Sequence, residues 1–171
     1  MDWITPLSTL AGAVVGVSSA LLAERVRWRR EQHKEVAQTR RVVYSDFLMA
    51  LSRGHSDMRT AVLQHDGSTG DRLYGALHQA LDGSGIWRLR QTLSLTTSAE
   101  IIQLAVMACE ALTRMRDLLV EDPDLKGDAY FRVRADLWRE NAHLREAMRK
   151  DLGMDGPPDP DVGRYRYPAA S

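Results

Sequence analysis

The chain reads as all-α: an N-terminal transmembrane helix, then an antiparallel bundle of about four helices and a disordered C-terminal tail. Three observations predict this. Residues 3–23 carry no charged side chain, and Arg25, Arg27, Arg29 and Arg30 follow at once. No proline interrupts the chain between Pro6 and Pro123. Beyond residue 41, apolar side chains recur three and four apart, in segments separated by Gly- and Asp-containing turns.

The opening run is long enough to cross a hydrocarbon core of roughly 30 Å at about 1.5 Å per residue. Thr5 followed by Pro6 suits a helix start, with proline in the first turn. Trp3 and Trp28 bracket the run about 37 Å apart on a helix and suit the two interfacial aromatic belts. Only Asp2 and the amino terminus precede the run, whereas the basic cluster follows it. This asymmetry predicts a single pass through the inner membrane, with the N-terminus outside and the remainder cytoplasmic. A cleaved signal peptide would carry its basic residues before the apolar run, and here they follow it. Five Ser or Thr and four Ala dilute the run, so a buried helix of a water-soluble fold is the competing reading. Ser8, Gly12, Gly16 and Ala20 recur every fourth residue and include a GxxxG, a candidate face for homodimer packing in the membrane.

Residues 24–41 form a basic, helix-compatible stalk that is polar nearly all round, with seven basic and three acidic side chains. Such a helix bridges solvent or lies against headgroups. Arg25, Arg27, Arg29, Arg30 and Lys34 are candidate contacts for anionic lipid. The simpler reading is that they only set topology.

Residues 42–152 are the expected cytoplasmic bundle, joined by short loops that favour antiparallel neighbours. Val36, Val43, Phe47, Ala50, Leu51, Met58 and Val62 share one helix face, with Gly54 as its weak point. Leu73, Tyr74, Leu77 and Leu81 mark the next helix. Residues 86–95 fit helix better than a strand without a partner. Thr97-x-x-Glu100 reads as a capping box. Ile101, Ala105, Ala108, Leu112, Met115 and Leu119 then make a coiled-coil-like seam of alternating four and three. Tyr130, Val133, Leu137, Leu144 and Met148 mark the last helix, which ends at Leu152-Gly153. Asn141 falls within that stripe, either fixing register or lying at its edge. The expected core is rich in Leu, Ala and Met, with aromatics at its edges. Residues 153–171 are expected to be disordered.

The 23 basic and 23 acidic side chains cancel, so nucleic acid is not an expected partner. Arg132, Arg139 and Arg149 are interleaved with Asp136, Glu140 and Glu146, as on a solvated face. Cys109 is the single cysteine and excludes an intrachain disulfide; it reads as a small core residue. Glu140-x-x-His143 has metal-ligand spacing, but a carboxylate-bridged di-metal site needs two such pairs and two further glutamates. An exposed helix face is expected there. His33, His55, His65 and His78 are scattered and read as surface residues. The segment from Asp122 to Asp128 has Lys126 at the fifth position of a calcium loop and Val133 at the twelfth, so it reads as an interhelical turn. No metal, cofactor or catalytic residue is predicted.

The Trp-flanked span ending in Ala23-Glu-Arg-Val-Arg-Trp-Arg-Arg30, followed by Arg40-Arg41-Val-Val-Tyr44-Ser-Asp-Phe47-Leu48, resembles small uncharacterised single-pass membrane proteins of GC-rich actinobacteria. The predominance of Arg over Lys, 20 to 3, fits a GC-rich genome. The resemblance covers mainly the first fifty residues; it implies topology and no activity. The expectation is therefore a non-enzymatic adaptor, scaffold or regulator, meeting the bilayer and a protein partner or a second copy. A surface lipid-binding protein is the alternative, and a helical enzyme with a cryptic site is the third.

Overall fold

The computed structural model describes residues 4–65, 70–154 and 156–162; within α1, the side chains of residues 4–23, 26, 29, 30 and 33 lie outside the described set. Five helices follow one another: α1 (Ile4–Leu63), α2 (Gly70–Gly83), α3 (Ile86–Thr96), α4 (Ala99–Glu121) and α5 (Asp128–Asp151). Among the described residues there is no strand, and no helix is long and apolar enough to cross a membrane. The apolar run of residues 4–23, whose side chains are not described, is helical in its backbone.

Two compact units divide between Thr39 and Arg40. The first holds the N-terminal part of α1. The second is a helical bundle built from the rest of α1 and from α2 to α5. The boundary falls two residues before the position expected from composition because Arg40 is already tied to the bundle. Its Nη1 donates to both carboxylate oxygens of Asp151 at 3.0 Å. Val36, expected on the apolar face of the bundle helix, falls in the first unit and is 53% exposed.

Within the bundle, α1 and α5 run antiparallel, since Tyr44 meets Asp151 and His55 meets Tyr130. α4 is central. Its seam, Ile101, Ala105, Ala108, Leu112, Met115 and Leu119, is wholly buried, as the four-and-three spacing predicts. Cys109 and Ala111 widen the buried strip. Leu73, Leu77 and Leu81 close the core from α2, and Ile86 and Leu93 from α3. α3 confirms the helical reading of residues 86–95. Tyr74 and Leu95 face water instead. The expectation of edge-only aromatics is corrected: Phe47, Tyr44 and Tyr130 are buried. Phe47 and Tyr44 lie four and seven residues before Leu51 on the α1 stripe, so the geometry that buries the aliphatics buries them too.

Gly54 is a close-packing position rather than a weak point. A Cβ there would lie 3.1 Å from Leu112 Cδ2 and 3.3 Å from Ser84 Cβ. The missing side chain lets α1 approach α4 and the α2–α3 turn, which offsets the helix-propensity cost of about 1 kcal/mol. Replacement by Val adds two methyl groups where one carbon is already crowded. G54V is expected to lower unfolding free energy by about 1–3 kcal/mol in chemical denaturation. An unchanged denaturation midpoint would show that the contact is slack.

The helix ends refine the sequence reading. The expected capping box at Thr97 is not formed. Ser98 is the N-cap of α4 and makes no side-chain capping bond. The Thr97 hydroxyl instead donates back to Leu93 O at 3.1 Å, finishing α3. With two residues between α3 and α4, the threonine is spent on the preceding helix. The turn between α4 and α5 is held by Asp124, whose Oδ1 accepts the Lys126 N–H at 2.8 Å. α5 ends as expected at Leu152-Gly153. Gly153 has φ +68°, with Gly153 N–H to Lys150 O at 2.9 Å and Met154 N–H to Arg149 O at 3.0 Å.

Candidate interaction surfaces

α1 carries the predicted stalk residues. At about 100° per residue, positions 27, 30 and 34 share one side of the helix and positions 25 and 29 another. Arg25, Arg27 and Lys34 are exposed, and Trp28 is 61% exposed. Arg27 Nε reaches Glu31 Oε1 at 3.2 Å. Both side chains are largely in water, so this pair adds little stability and leaves the charge accessible. The side chains of Arg29 and Arg30 lie outside the described residues, as do those of Ser8, Gly12, Gly16 and Ala20; Trp3 lies outside altogether.

In the bundle, the tertiary fold assembles polar groups that sequence spacing does not reveal. Tyr44 Oη donates to Asp151 Oδ2 at 2.6 Å beside the Arg40 pair. Burial, then the hydrogen bond to Asp151, raise the Tyr44 phenol above its ordinary range. Arg40 and Asp151 are 111 residues apart, beyond any local pattern.

His55, expected at the surface, is buried. Its Nε2 lies 3.2 Å from Tyr130 Oη, and the edge of Trp138 stands at a centroid distance of 5.5 Å. Burial, followed by the positive charges of Arg59 and Arg134, lowers the His55 pKa to about 4. The imidazole is therefore neutral at pH 7. A signal was present: position 55 lies four residues after Leu51 and three before Met58, on the buried stripe. Arg134 lies over the Phe131 ring at 4.8 Å, so this cluster is a mixed aromatic and cationic wall.

The Glu140 and His143 pair is split. His143 is exposed, whereas Glu140 is buried, which corrects the expected exposed face. Glu140 Oε1 lies 3.6 Å from Arg139 Nε. Among the described residues, no group of three or more His, Cys, Asp or Glu side chains is placed to hold a metal ion. Asn141 lies in the seam, 2% exposed, with Oδ1 unpaired. Cys109 is buried, and burial pushes its thiol up to about 12. A thiol so far from ionisation is a poor nucleophile.

A further polar network lies on α5, where sequence predicts a disordered tail. Residues 156–162 return along the helix, which corrects that expectation for this segment; 163–171 lie outside the described residues. Arg145 Nε donates to Asp159 Oδ2 at 2.8 Å, and Nη2 to Asp159 Oδ1 at 3.0 Å and to Asp161 Oδ2 at 2.7 Å. Asp159 N–H donates to Glu146 Oε2 at 2.9 Å, and Arg149 Nη2 to Pro157 O at 3.2 Å. The Arg145 hydrogen bonds hold the Asp159 carboxyl below its ordinary range. Composition alone favours disorder here because prolines and aspartates bury no apolar surface. The positive φ at Gly153 and the arginines on α5 override it.

No family model, no curated protein and no solved structure matches the chain.

Proposed function

We propose that the chain is a membrane-anchored interaction module, non-enzymatic, that presents the helical bundle on the cytoplasmic side of the inner membrane. One observation carries this reading. The uncharged run of residues 3–23 is followed at once by a basic cluster. From Ile4 its backbone belongs to the same helix that becomes the first helix of the bundle. Anchoring confines the bundle to two dimensions and raises its effective concentration for a partner on the same surface. The expected roles are adaptor, scaffold or regulator of another membrane or cytoplasmic protein. Extraction of native membranes with alkaline carbonate tests the anchor. The chain should stay in the pellet, and recovery in the supernatant would remove the basis of the reading.

A second reading is supported by the exposed Arg25, Arg27 and Lys34: the stalk holds anionic headgroups, at about 1 kcal/mol per near-surface charge. Arg25 lies on the side of the helix opposite Arg27 and Lys34, which suits a helix passing through a headgroup layer better than one lying on it. Reversing Arg25, Arg27 and Lys34 to Glu should then abolish any preference for anionic over zwitterionic bilayers. A retained preference would confine their role to topology.

Homodimerisation through Ser8, Gly12, Gly16 and Ala20 fits this reading, because small residues let two backbones approach within a bilayer. Replacing Gly12 and Gly16 with Leu should convert a detergent-solubilised dimer to monomer in sedimentation. Unchanged mass would remove this face from consideration.

A further inference from the structure

The returning segment 156–162 is held on α5 almost wholly by charge. Pro157, Pro158 and Pro160 are exposed, Val162 is 38% exposed, and Asp159 alone is buried. An apolar latch would resist ions, whereas a strap held by partly exposed ion pairs yields to a competing anion. It lies over Arg145, Glu146 and Arg149, which share one face of the helix. Around the Arg145 guanidinium stand three carboxylate oxygens from two aspartates, at 2.7–3.0 Å. A phosphate group presents three oxygens from one centre and matches the guanidinium fork in the same two-pronged manner. Arg149, one turn on, gives Nη2 only to the Pro157 carbonyl, and its Nε is buried without a hydrogen-bond partner. Donor capacity therefore exceeds what the strap supplies.

We propose that Arg145 and Arg149 form a phosphate-binding fork that Asp159 and Asp161 keep closed in cis. The ligand is a phosphate ester or free phosphate, and binding exchanges the two aspartates for one phosphoryl group and frees the strap. The short connection from Gly153 keeps the aspartates at high effective concentration, so the fork opens only to a ligand that satisfies both arginines. The fork uses bundle residues alone and does not depend on a membrane anchor.

The test follows amide hydrogen exchange of Asp159, Asp161 and Val162, whose N–H groups bond to Glu146 Oε2, Asp159 Oδ1 and Asp159 O when the strap is docked. The full chain in neutral detergent is titrated with sodium phosphate and, separately, with sodium chloride at matched ionic strength. Phosphate should speed exchange at all three amides, and chloride should not. D161N removes one charged bond to Arg145 and should shift the phosphate midpoint down about tenfold. R145K keeps the charge but loses the fork, and should abolish the phosphate response. Phosphatidylcholine bilayers with and without phosphatidic acid, free of soluble phosphate, separate a lipid headgroup from a free ligand. Equal opening by chloride, or an R145K chain that responds like the parent, would overturn the proposal. So would opening by an aspartate-rich peptide with no response to either phosphate source.

Discussion

Phe47→Ala should unfold the bundle more readily than any change at its surface, by about 3–5 kcal/mol. Phe47 has no exposed surface and belongs to the one core cluster shared by α1, α4 and α5. The substitution removes the ring and leaves a void that stiff neighbours fill only in part. The close-packed core to which Phe47 belongs has little slack to give. Typical domains keep about 5–15 kcal/mol in total, so this one side chain is a large share. Denaturant unfolding followed by circular dichroism measures the loss. A cost below about 1 kcal/mol would mean that α1 is not anchored in the core through this ring.

Acidification should weaken the bundle between pH 6.5 and 4 through His55. The folded pKa is lowered to about 4 from an ordinary 6.5, because burial and two neighbouring arginines oppose the charged form. The unfolded chain therefore binds a proton first. Stability is fully present above pH 6.5 and falls as pH drops toward 4, by about 3 kcal/mol at about 1.4 kcal/mol per pKa unit. Asp159 acts in a separate window. Its folded pKa lies below the ordinary 3.8, so its contribution is present above that value and is lost only at lower pH. His55→Gln removes the titrating ring and keeps a polar side chain near Tyr130. The variant should show a flat stability profile from pH 6.5 to 4, where the parent slopes. Parallel profiles would place the acid sensitivity elsewhere. Magnetic resonance of the His55 ring gives a second check, since the imidazole should stay neutral until about pH 4.

Both expectations depend on burial, and burial was legible in sequence to different degrees. The α4 seam could be read directly, because six apolar positions at alternating fours and threes have one helical solution. α3 followed from the same periodicity. For α1 the stripe through Val43, Phe47 and Leu51 is legible, but residue type points His55 to water where its position on that stripe buries it. Glu140 is buried against its residue type in the same way. Hydropathy scores a side chain for its own chemistry; the helix axis decides which face turns inward.

Local spacing by itself determined the all-α class, the helices of the bundle, the α5 stop at Gly153 and the uncharged run with its basic flank. These depend on residues within a few turns of one another. Only the tertiary structure decided that Gly54 is a contact, that Arg40 and Tyr44 meet Asp151, and that Asp159 returns to Arg145. Each of those pairs residues whose proximity is created by packing, and no periodicity along the chain encodes a distance across it.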